Sequence, residues 1–162
     1  MLIEEASLPI VDVNITFNLG SKDDLDYKGI TNYAINLLHL QKVNNEKIID
    51  SLQKIGAQYS SNVTRDSSSI TLRFISNDEN IKFISRQINK MLTGYRSISD
   101  DARDFTTESI LNSIKNRELM PSSIVSYKSN ERFFKGTGYA HPIEGYKEDI
   151  EGLNATIVNN HL

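Results

Sequence analysis

The spacing of apolar residues changes abruptly near the start of the chain, and this change constrains the fold more than any other feature. From Val11 to Leu19 every second residue is apolar, which is the pattern of a strand with one buried face. From Ile30 to Leu38 apolar residues recur at intervals of about three and four, which predicts a helix with one face in the core. A half-buried strand followed by an amphipathic helix predicts a sheet that packs against helices.

The remaining segments repeat these two patterns. Asn45 is a suitable N-cap for a second helix, which would end at Gly56. Tyr59–Arg65 and Ser69–Ser76 flank a polar turn and predict a β-hairpin. Further helices are predicted over Asn77–Leu92, Asp100–Arg117, Ser122–Phe134 and Tyr146–Asn159. The predicted class is therefore α+β, with a mostly antiparallel sheet packed against several helices. The apolar stripe of the Asp100–Arg117 helix is predicted to consist of Phe105, Ile110, Leu111 and Ile114.

Composition excludes several classes of function. The 162 residues carry 18 basic and 21 acidic side chains in a mixed distribution, without the basic stripe that nucleic-acid binding requires. The chain has no cysteine, so neither disulfides nor thiol chemistry are available to it. No apolar run is long enough to span a membrane, and acidic residues near the start argue against a signal peptide.

The residues that could bind metal or phosphate are badly spaced for either. His39 has no partner His or Glu at helical spacing, His141 precedes Pro142 in a predicted loop, and His161 is the second-last residue. A zinc site built from these three is not expected. The acidic run from Asp23 to Asp26 lacks the spacing and the closing Glu of a calcium loop. Gly136–Gly138 follows no strand and precedes no Lys-Ser pair, so we interpret it as a loop.

Four segments together resemble one family of enzymes. They are Leu8–Ser21 (LPIVDVNITFNLGS), Lys28–Gln41 (KGITNYAINLLHLQ), Ile55–Ser60 (IGAQYS) and His141–Gly145 (HPIEG). In these segments the chain resembles the pitrilysin/insulinase/mitochondrial-processing-peptidase family of zinc metallopeptidases, the inverzincins. The resemblance extends over nearly the whole chain. It implies that residues 1–162 form one incomplete N-terminal peptidase-like domain, which lacks its C-terminal strands and a second homologous domain.

The resemblance also implies where a metal site would be. Active members carry H-x-x-E-H on the first helix, and alignment on Gly29 puts its two His positions at Asn32 and Asn36 and its Glu position at Ile35. A third ligand, a Glu on a later helix, falls at Ser113, and an auxiliary acidic position falls at Thr106. The sequence therefore predicts a vestigial site without metal ligands or a general base. Asn32 and Asn36 remain equally open to interpretation as ordinary polar residues on a wetted helix face.

Three functions follow as expectations. The resemblance implies a non-catalytic subunit of a two-subunit zinc peptidase, which would line a peptide chamber while an active H-x-x-E-H partner subunit supplies the zinc. This chain would then need no cofactor of its own, and its compartment, like that of many bacterial relatives, would be the periplasm or cell envelope. The alternatives are a stand-alone peptide-binding scaffold and a peptidase with an unrecognised site. The sequence offers no Ser-His-Asp, Cys-His or paired-carboxylate arrangement for the last of these.

Overall fold

Two antiparallel sheets form the β part of the computed structural model, which describes residues 7–93 and 98–161. The larger sheet has three strands in the order β1-β5-β4, and the smaller is a two-stranded hairpin of β2 and β3. The strands are β1 Ile10–Phe17, β2 Lys42–Val43, β3 Glu46–Lys47, β4 Gln58–Val63 and β5 Ser68–Ile75.

The larger sheet has one apolar and one polar face. Val13 of β1 and Tyr59 of β4 both lie opposite Leu72 of β5, so the alternating patterns of the three strands are in register. On the polar face the Arg73 guanidinium donates to both carboxylate oxygens of Asp12, at 2.7 and 2.8 Å. The strand predicted over Val11–Leu19 and the hairpin over Tyr59–Ser76 are both confirmed.

Seven α-helices are present within the described residues. They are α1 Ile30–Leu37, α2 Ile48–Lys54, α3 Asp78–Thr93, α4 Asp100–Leu119, α5 Pro121–Phe133, α6 Lys147–Glu151 and α7 Ala155–His161. The predicted α+β class, with an antiparallel sheet packed against helices, is thereby confirmed. No helix among the described residues has the length and apolar character needed to cross a membrane.

The core consists of two apolar clusters, and α1 contributes to both. The first cluster joins α1 to the sheet and comprises Ile35, Leu38, Ile48, Leu52, Ala57, Ile70, Leu72, Phe74, Ile84 and Met91. The second joins α1 to the later helices and comprises Tyr33, Ala34, Leu37, Leu40, Ala102, Ile110, Ile114, Ile150 and Val158. Because α1 is covered on two sides, its position determines how the sheet and the helical half fit together.

The predicted N-cap at Asn45 is wrong. Asn44 and Asn45 have φ angles of 52° and 64° and form the turn between β2 and β3. Asn adopts this left-handed conformation more readily than most residues, and a type I′ hairpin turn requires a positive φ at both central positions. The residue that precedes α2 is Lys47, whose side chain makes no cap hydrogen bond. The predicted end of this helix at Gly56, which has a φ of 68°, agrees with the structure.

Two other predictions about helices need correction, and two further predictions concern residues that the structure does not describe. Phe105 is 60% exposed, because α4 buries the stripe formed by Ala102, Thr106, Ile110 and Ile114 instead. The helix predicted over Tyr146–Asn159 is interrupted at residues 152–154, which separate α6 from α7. The sequence also predicts part of an edge strand at Met1–Glu5 and the end of a helix at Gly94, and both lie outside the described residues.

Candidate functional site

The start of α1 is held in place by a buried carboxylate. Asp24 accepts hydrogen bonds from the backbone amides of Gly29, at 2.7 Å, and Thr31, at 2.9 Å. Both amides belong to the first turn of the helix, where backbone N–H groups lack intrahelical partners and a negative charge is favourable. Asp24 therefore fixes the direction in which α1 leaves the preceding loop.

The segment His141–Gly145 packs directly against this helix start. Gly29 and Gly145 have φ angles of 94° and 79°, and their backbones touch. A Cβ atom on Gly145 would lie 1.9 Å from the carbonyl oxygen of Lys28, so only glycine fits. His141 is also buried here, with its Nε2 atom 3.9 Å from an Asp24 carboxylate oxygen. Two segments that are distant in sequence thus meet at the start of α1.

The residues at the predicted H-x-x-E-H positions lie on α1 but point in different directions. The Asn36 side-chain amide donates to the Asn32 carbonyl, at 2.8 Å, and to the Asn32 side-chain oxygen, at 3.1 Å. Both Asn residues are half-buried. Ile35 is only 1% exposed and belongs to the cluster that packs against the sheet. The structure brings the two Asn side chains together and places Ile35 in the core.

The two predicted positions on α4 make only local side-chain hydrogen bonds within the described residues. Thr106 is buried, and its hydroxyl donates to the Ala102 carbonyl at 2.8 Å. Ser113 is exposed, and its hydroxyl donates to the Ser109 carbonyl at 3.2 Å. The role of Asn32, Ile35, Asn36, Thr106 and Ser113 as former metal-site positions stays a prediction.

The contacts between α1 and α4 show which parts of the two helices lie side by side. The Tyr33 hydroxyl lies 3.1 Å from the Arg103 carbonyl and 3.0 Å from the Thr107 hydroxyl. Farther along α4, Arg117 donates to the Gly145 carbonyl, which is adjacent to the start of α1. Ser113 lies between these two contact points, on the part of α4 that runs past the first half of α1.

The side chains at these positions do not fit a zinc ion. Zinc in proteins is bound by imidazole nitrogen, thiolate or carboxylate, and neutral amides, a hydroxyl and an aliphatic side chain supply none of these. Across residues 7–93 and 98–161, no group of three or more His, Cys, Asp or Glu side chains could hold a metal ion. We therefore derive no metal chemistry from this arrangement.

Sequence reasoning missed a second feature, a groove between α5 and the His141–Gly145 segment. It has a volume of about 340 Å³ and is lined by Arg65, Arg117, Ser122, Ser123, Ser126, Tyr127, Asn130, Pro142, Ile143 and Glu144. Arg117 could have been noticed, because it continues the helical spacing of Ile110 and Ile114 and so places a charge on an apolar stripe. Arg65 gave no such signal, since it lies in a polar turn.

One charged hydrogen bond connects the last turn of α5 to the residue that precedes α6. The Tyr146 hydroxyl donates to Glu131 at 2.6 Å. Burial, followed by this hydrogen bond to a carboxylate, raises the pKa of the Tyr146 hydroxyl. The same hydrogen bond, with a second one from Lys128, lowers the pKa of the Glu131 carboxyl. Glu131 is therefore ionised at neutral pH and ties α5 to the chain beyond the groove.

Comparison with solved structures identifies the fold. No protein-family profile and no curated protein matches the sequence. The "peptidase M16 inactive domain from Pseudomonas fluorescens" superposes with a TM-score of 0.88 at 17% identity, over 98% of this chain and 39% of that one. The chain has the fold of an M16 peptidase domain.

Two further structures support this assignment. Periplasmic protease PqqL from Escherichia coli gives a TM-score of 0.77 at 10% identity, over 94% of this chain and 18% of that one. A chain of complex III2 from Candida albicans, with Inz-5 bound, gives 0.70 at 18% identity, over 97% of this chain and 35% of that one. The fold expected from the pitrilysin-family resemblance is confirmed. The chain spans two fifths or less of the length of each of these structures.

Proposed function

We propose that this chain is a non-catalytic subunit of a two-subunit zinc peptidase. The observation that carries the proposal is the fold of an M16 peptidase domain. It is supported by the sequence alignment on Gly29, which assigns Asn32, Ile35 and Asn36 to the H-x-x-E-H positions. An active partner subunit with intact H-x-x-E-H would supply the zinc and the general base. This chain would supply part of the wall of a peptide chamber and contacts to the substrate.

Two surfaces suit such a role. The face of the larger sheet that carries Asp12 and Arg73 is polar and exposed, so it can border a water-filled chamber. Within the described residues, β1 and β4 are the edge strands, and an edge strand can pair with an extended peptide through backbone hydrogen bonds. We place the assembly in the periplasm or cell envelope, in line with the periplasmic protease among the similar structures.

A reconstitution experiment tests the proposal. The chain alone is dialysed against micromolar zinc and its metal content is measured by mass spectrometry, with an expected ratio well below one zinc per chain. It is then mixed with a candidate partner, an H-x-x-E-H protein from the same genome, and cleavage of a fluorogenic peptide library is measured. We expect no cleavage by this chain and a higher rate for the mixture than for the partner alone. A stoichiometric zinc ion with peptidase activity in the isolated chain would overturn the proposal.

Restoring ligands provides a second test. The variant with Asn32→His, Asn36→His and Ser113→Glu supplies two imidazoles and a carboxylate, the ligand set that zinc requires. If α1 and α4 are those of a zinc peptidase, this variant gains micromolar zinc affinity. The matched control carries Asn32→His and Asn36→His with Ser109→Glu, one turn away on α4, and should bind zinc more weakly. Equal affinities would contradict the assignment of Ser113.

The second candidate is a stand-alone peptide-binding scaffold. The groove beside α5 favours it, because the groove does not depend on a partner subunit. A gene neighbourhood without an H-x-x-E-H protein, together with peptide binding by the isolated chain, would favour the scaffold over the two-subunit peptidase.

A further inference from the structure

The groove beside α5 combines two arginines with several hydroxyl groups. Arg65 and Arg117 line it from the side of the His141–Gly145 segment, while Ser122, Ser123 and Ser126 line it from α5. Its volume of about 340 Å³ is at the lower end of the range for small-ligand pockets. The size therefore suits a small polar group with a short attached chain.

Both arginines are held in position through a single nitrogen. Arg65 donates from Nη1 to the His141 carbonyl at 2.9 Å. Arg117 donates from Nη1 to the Gly145 carbonyl and to a Glu144 carboxylate oxygen, both at 3.2 Å. Each guanidinium has five N–H donors in a fixed fork, so the rest of its donors are oriented in advance. Such preorganisation lowers the entropy that binding would otherwise cost.

Arg117 also has a donor without a partner. Its side chain is 10% exposed, and its Nε atom has no hydrogen-bond partner among the described residues. The guanidinium carbon lies 5.1 Å from the centre of the Tyr127 ring, which restricts where the side chain can move. A nearly buried cation is costly, and a negative charge that enters the groove beside this guanidinium would offset part of that cost.

The first turn of α5 adds positive potential at the same place. This helix begins at Pro121, and the preceding Met120 provides no side-chain cap. The backbone amides of Ser122 and Ser123 occupy the first turn, where N–H groups have no intrahelical acceptor. In a helix of 13 residues these amides and the helix dipole favour an anion.

We propose that this groove binds a carboxylate group of a peptide. The charged lining residues are two arginines, Arg65 and Arg117, and one glutamate, Glu144, so the lining carries a net charge of one positive unit. That charge matches a monoanion, whereas a phosphate dianion would face Glu144 with an uncompensated charge. The planar guanidinium fork also matches the two oxygens of a carboxylate. The carboxylate comes either from the C-terminus of the peptide or from an acidic side chain.

This inference rests on the proposed role in peptide binding and names the chemical group that this chain would recognise. NMR titration of the full 162-residue chain, labelled with ¹⁵N, tests it directly. The probes are N-acetyl-Gly-Ala-Leu with a free carboxylate, its C-terminal amide, N-acetyl-Gly-Asp-Leu amide and inorganic phosphate. We expect the free acid to shift the amide signals of Ser122, Ser123 and Ser126 and the Nε–H signal of Arg117.

The comparison of probes identifies the source of the carboxylate. The amide without Asp should bind roughly tenfold more weakly than the free acid, because it lacks the charge-assisted hydrogen bonds. If the Asp-containing amide matches the free acid, an acidic side chain is sufficient; if it is weaker, the C-terminus is preferred. Equal binding by the free acid and the amide without Asp, or tighter binding of phosphate, would overturn the proposal.

Variants then test the residues. Arg65→Gln should weaken binding of the free-acid peptide roughly tenfold, since it removes one of the two cations. Arg65→Lys should have an affinity between those of the wild type and Arg65→Gln. The matched control is Arg132→Gln, an exposed position on α5 outside the groove, and should change affinity less than twofold. Ser126→Glu, which is exposed and places a negative charge in the groove, should abolish binding even if Arg65→Gln folds poorly.

The two proposals fail in different ways. If both Arg65→Gln and Ser126→Glu bind the free-acid peptide with unchanged affinity, the groove is not a carboxylate site. That result would not contradict the proposed role in a two-subunit peptidase. Failure of the partner to gain activity in the reconstitution experiment would remove the peptidase role without affecting the shifts at Ser122, Ser123 and Ser126.

Discussion

Helices α1 and α5 differ more than any other pair of described helices in the fraction of their residues that is buried. Six of the eight residues of α1 are buried, whereas none of the 13 residues of α5 is. On α5, Val125 is exposed and Phe133 is 81% exposed. Helix α1 lies between the sheet and α4, while α5 packs at the surface and contributes one wall of the groove. Substitutions in α1 should therefore change the stability of the fold, and substitutions in α5 should change what the surface binds.

The largest effect is expected at Ile35. Ile35→Glu would bury a carboxylate in the cluster against the sheet and should cost about 4 kcal/mol of unfolding free energy or more. The measurement is chemical denaturation followed by circular dichroism. The matched control, Val125→Glu on α5, should change the same free energy by less than about 0.5 kcal/mol. Similar losses in the two variants would break the contrast between α1 and α5.

A smaller but still large effect is expected where the His141–Gly145 segment touches α1. Gly145→Ala combines left-handed strain with a Cβ atom only 1.9 Å from the Lys28 carbonyl oxygen, so it should cost about 3 kcal/mol. Gly136→Ala has a similar φ of 84° but open space around the new Cβ atom, and should cost only about 1 kcal/mol. Thermal unfolding of both variants measures the difference. Equal costs would mean that this contact does not hold the helix start.

The Asn pair on α1 should contribute little to stability. Asn36→Ala removes the donor that bonds the Asn32 carbonyl and side chain, which should cost about 1 kcal/mol. Helix propensity works in the opposite direction, because Ala is the better helix former. Urea denaturation gives the free energy, with Asn112→Ala on the exposed face of α4 as the control for propensity. A loss above about 3 kcal/mol would show that this pair is a structural element of the core.

The smallest effect is a dependence of stability on pH. Burial, aided by Lys47, lowers the pKa of His39 from its ordinary value of 6.5, and burial likewise lowers the pKa of His161. The folded state then holds fewer protons than the unfolded state, so the stabilisation is complete above about pH 6.5 and is lost as pH falls below it. Melting temperatures at pH 7.5 and 5.5 should show a decrease for the wild type. In His39→Gln the decrease in melting temperature should be smaller. The same decrease in this variant as in the wild type would contradict the role of His39.

Much of the fold could be predicted because it depends on local periodicity. The alternation from Val11 to Leu19 and the spacing from Ile30 to Leu38 each require one buried face, whatever covers it. The error at Phe105 shows the limit of this reasoning. A helix one position out of phase still looks amphipathic, and only the packing of Ala102 and Ile110 against α1 decided which stripe is buried.

The sequence alone determined the donor chemistry at the first helix, because Asn32, Ile35 and Asn36 are not zinc ligands in any arrangement. It could not determine that Ile35 would point into the core while the two Asn side chains bond each other. It also could not reveal the groove, since Arg65, Arg117 and the start of α5 meet only after the chain has folded. The physical reason is that periodicity depends on neighbours along the chain, whereas a binding groove depends on segments that the tertiary structure brings together.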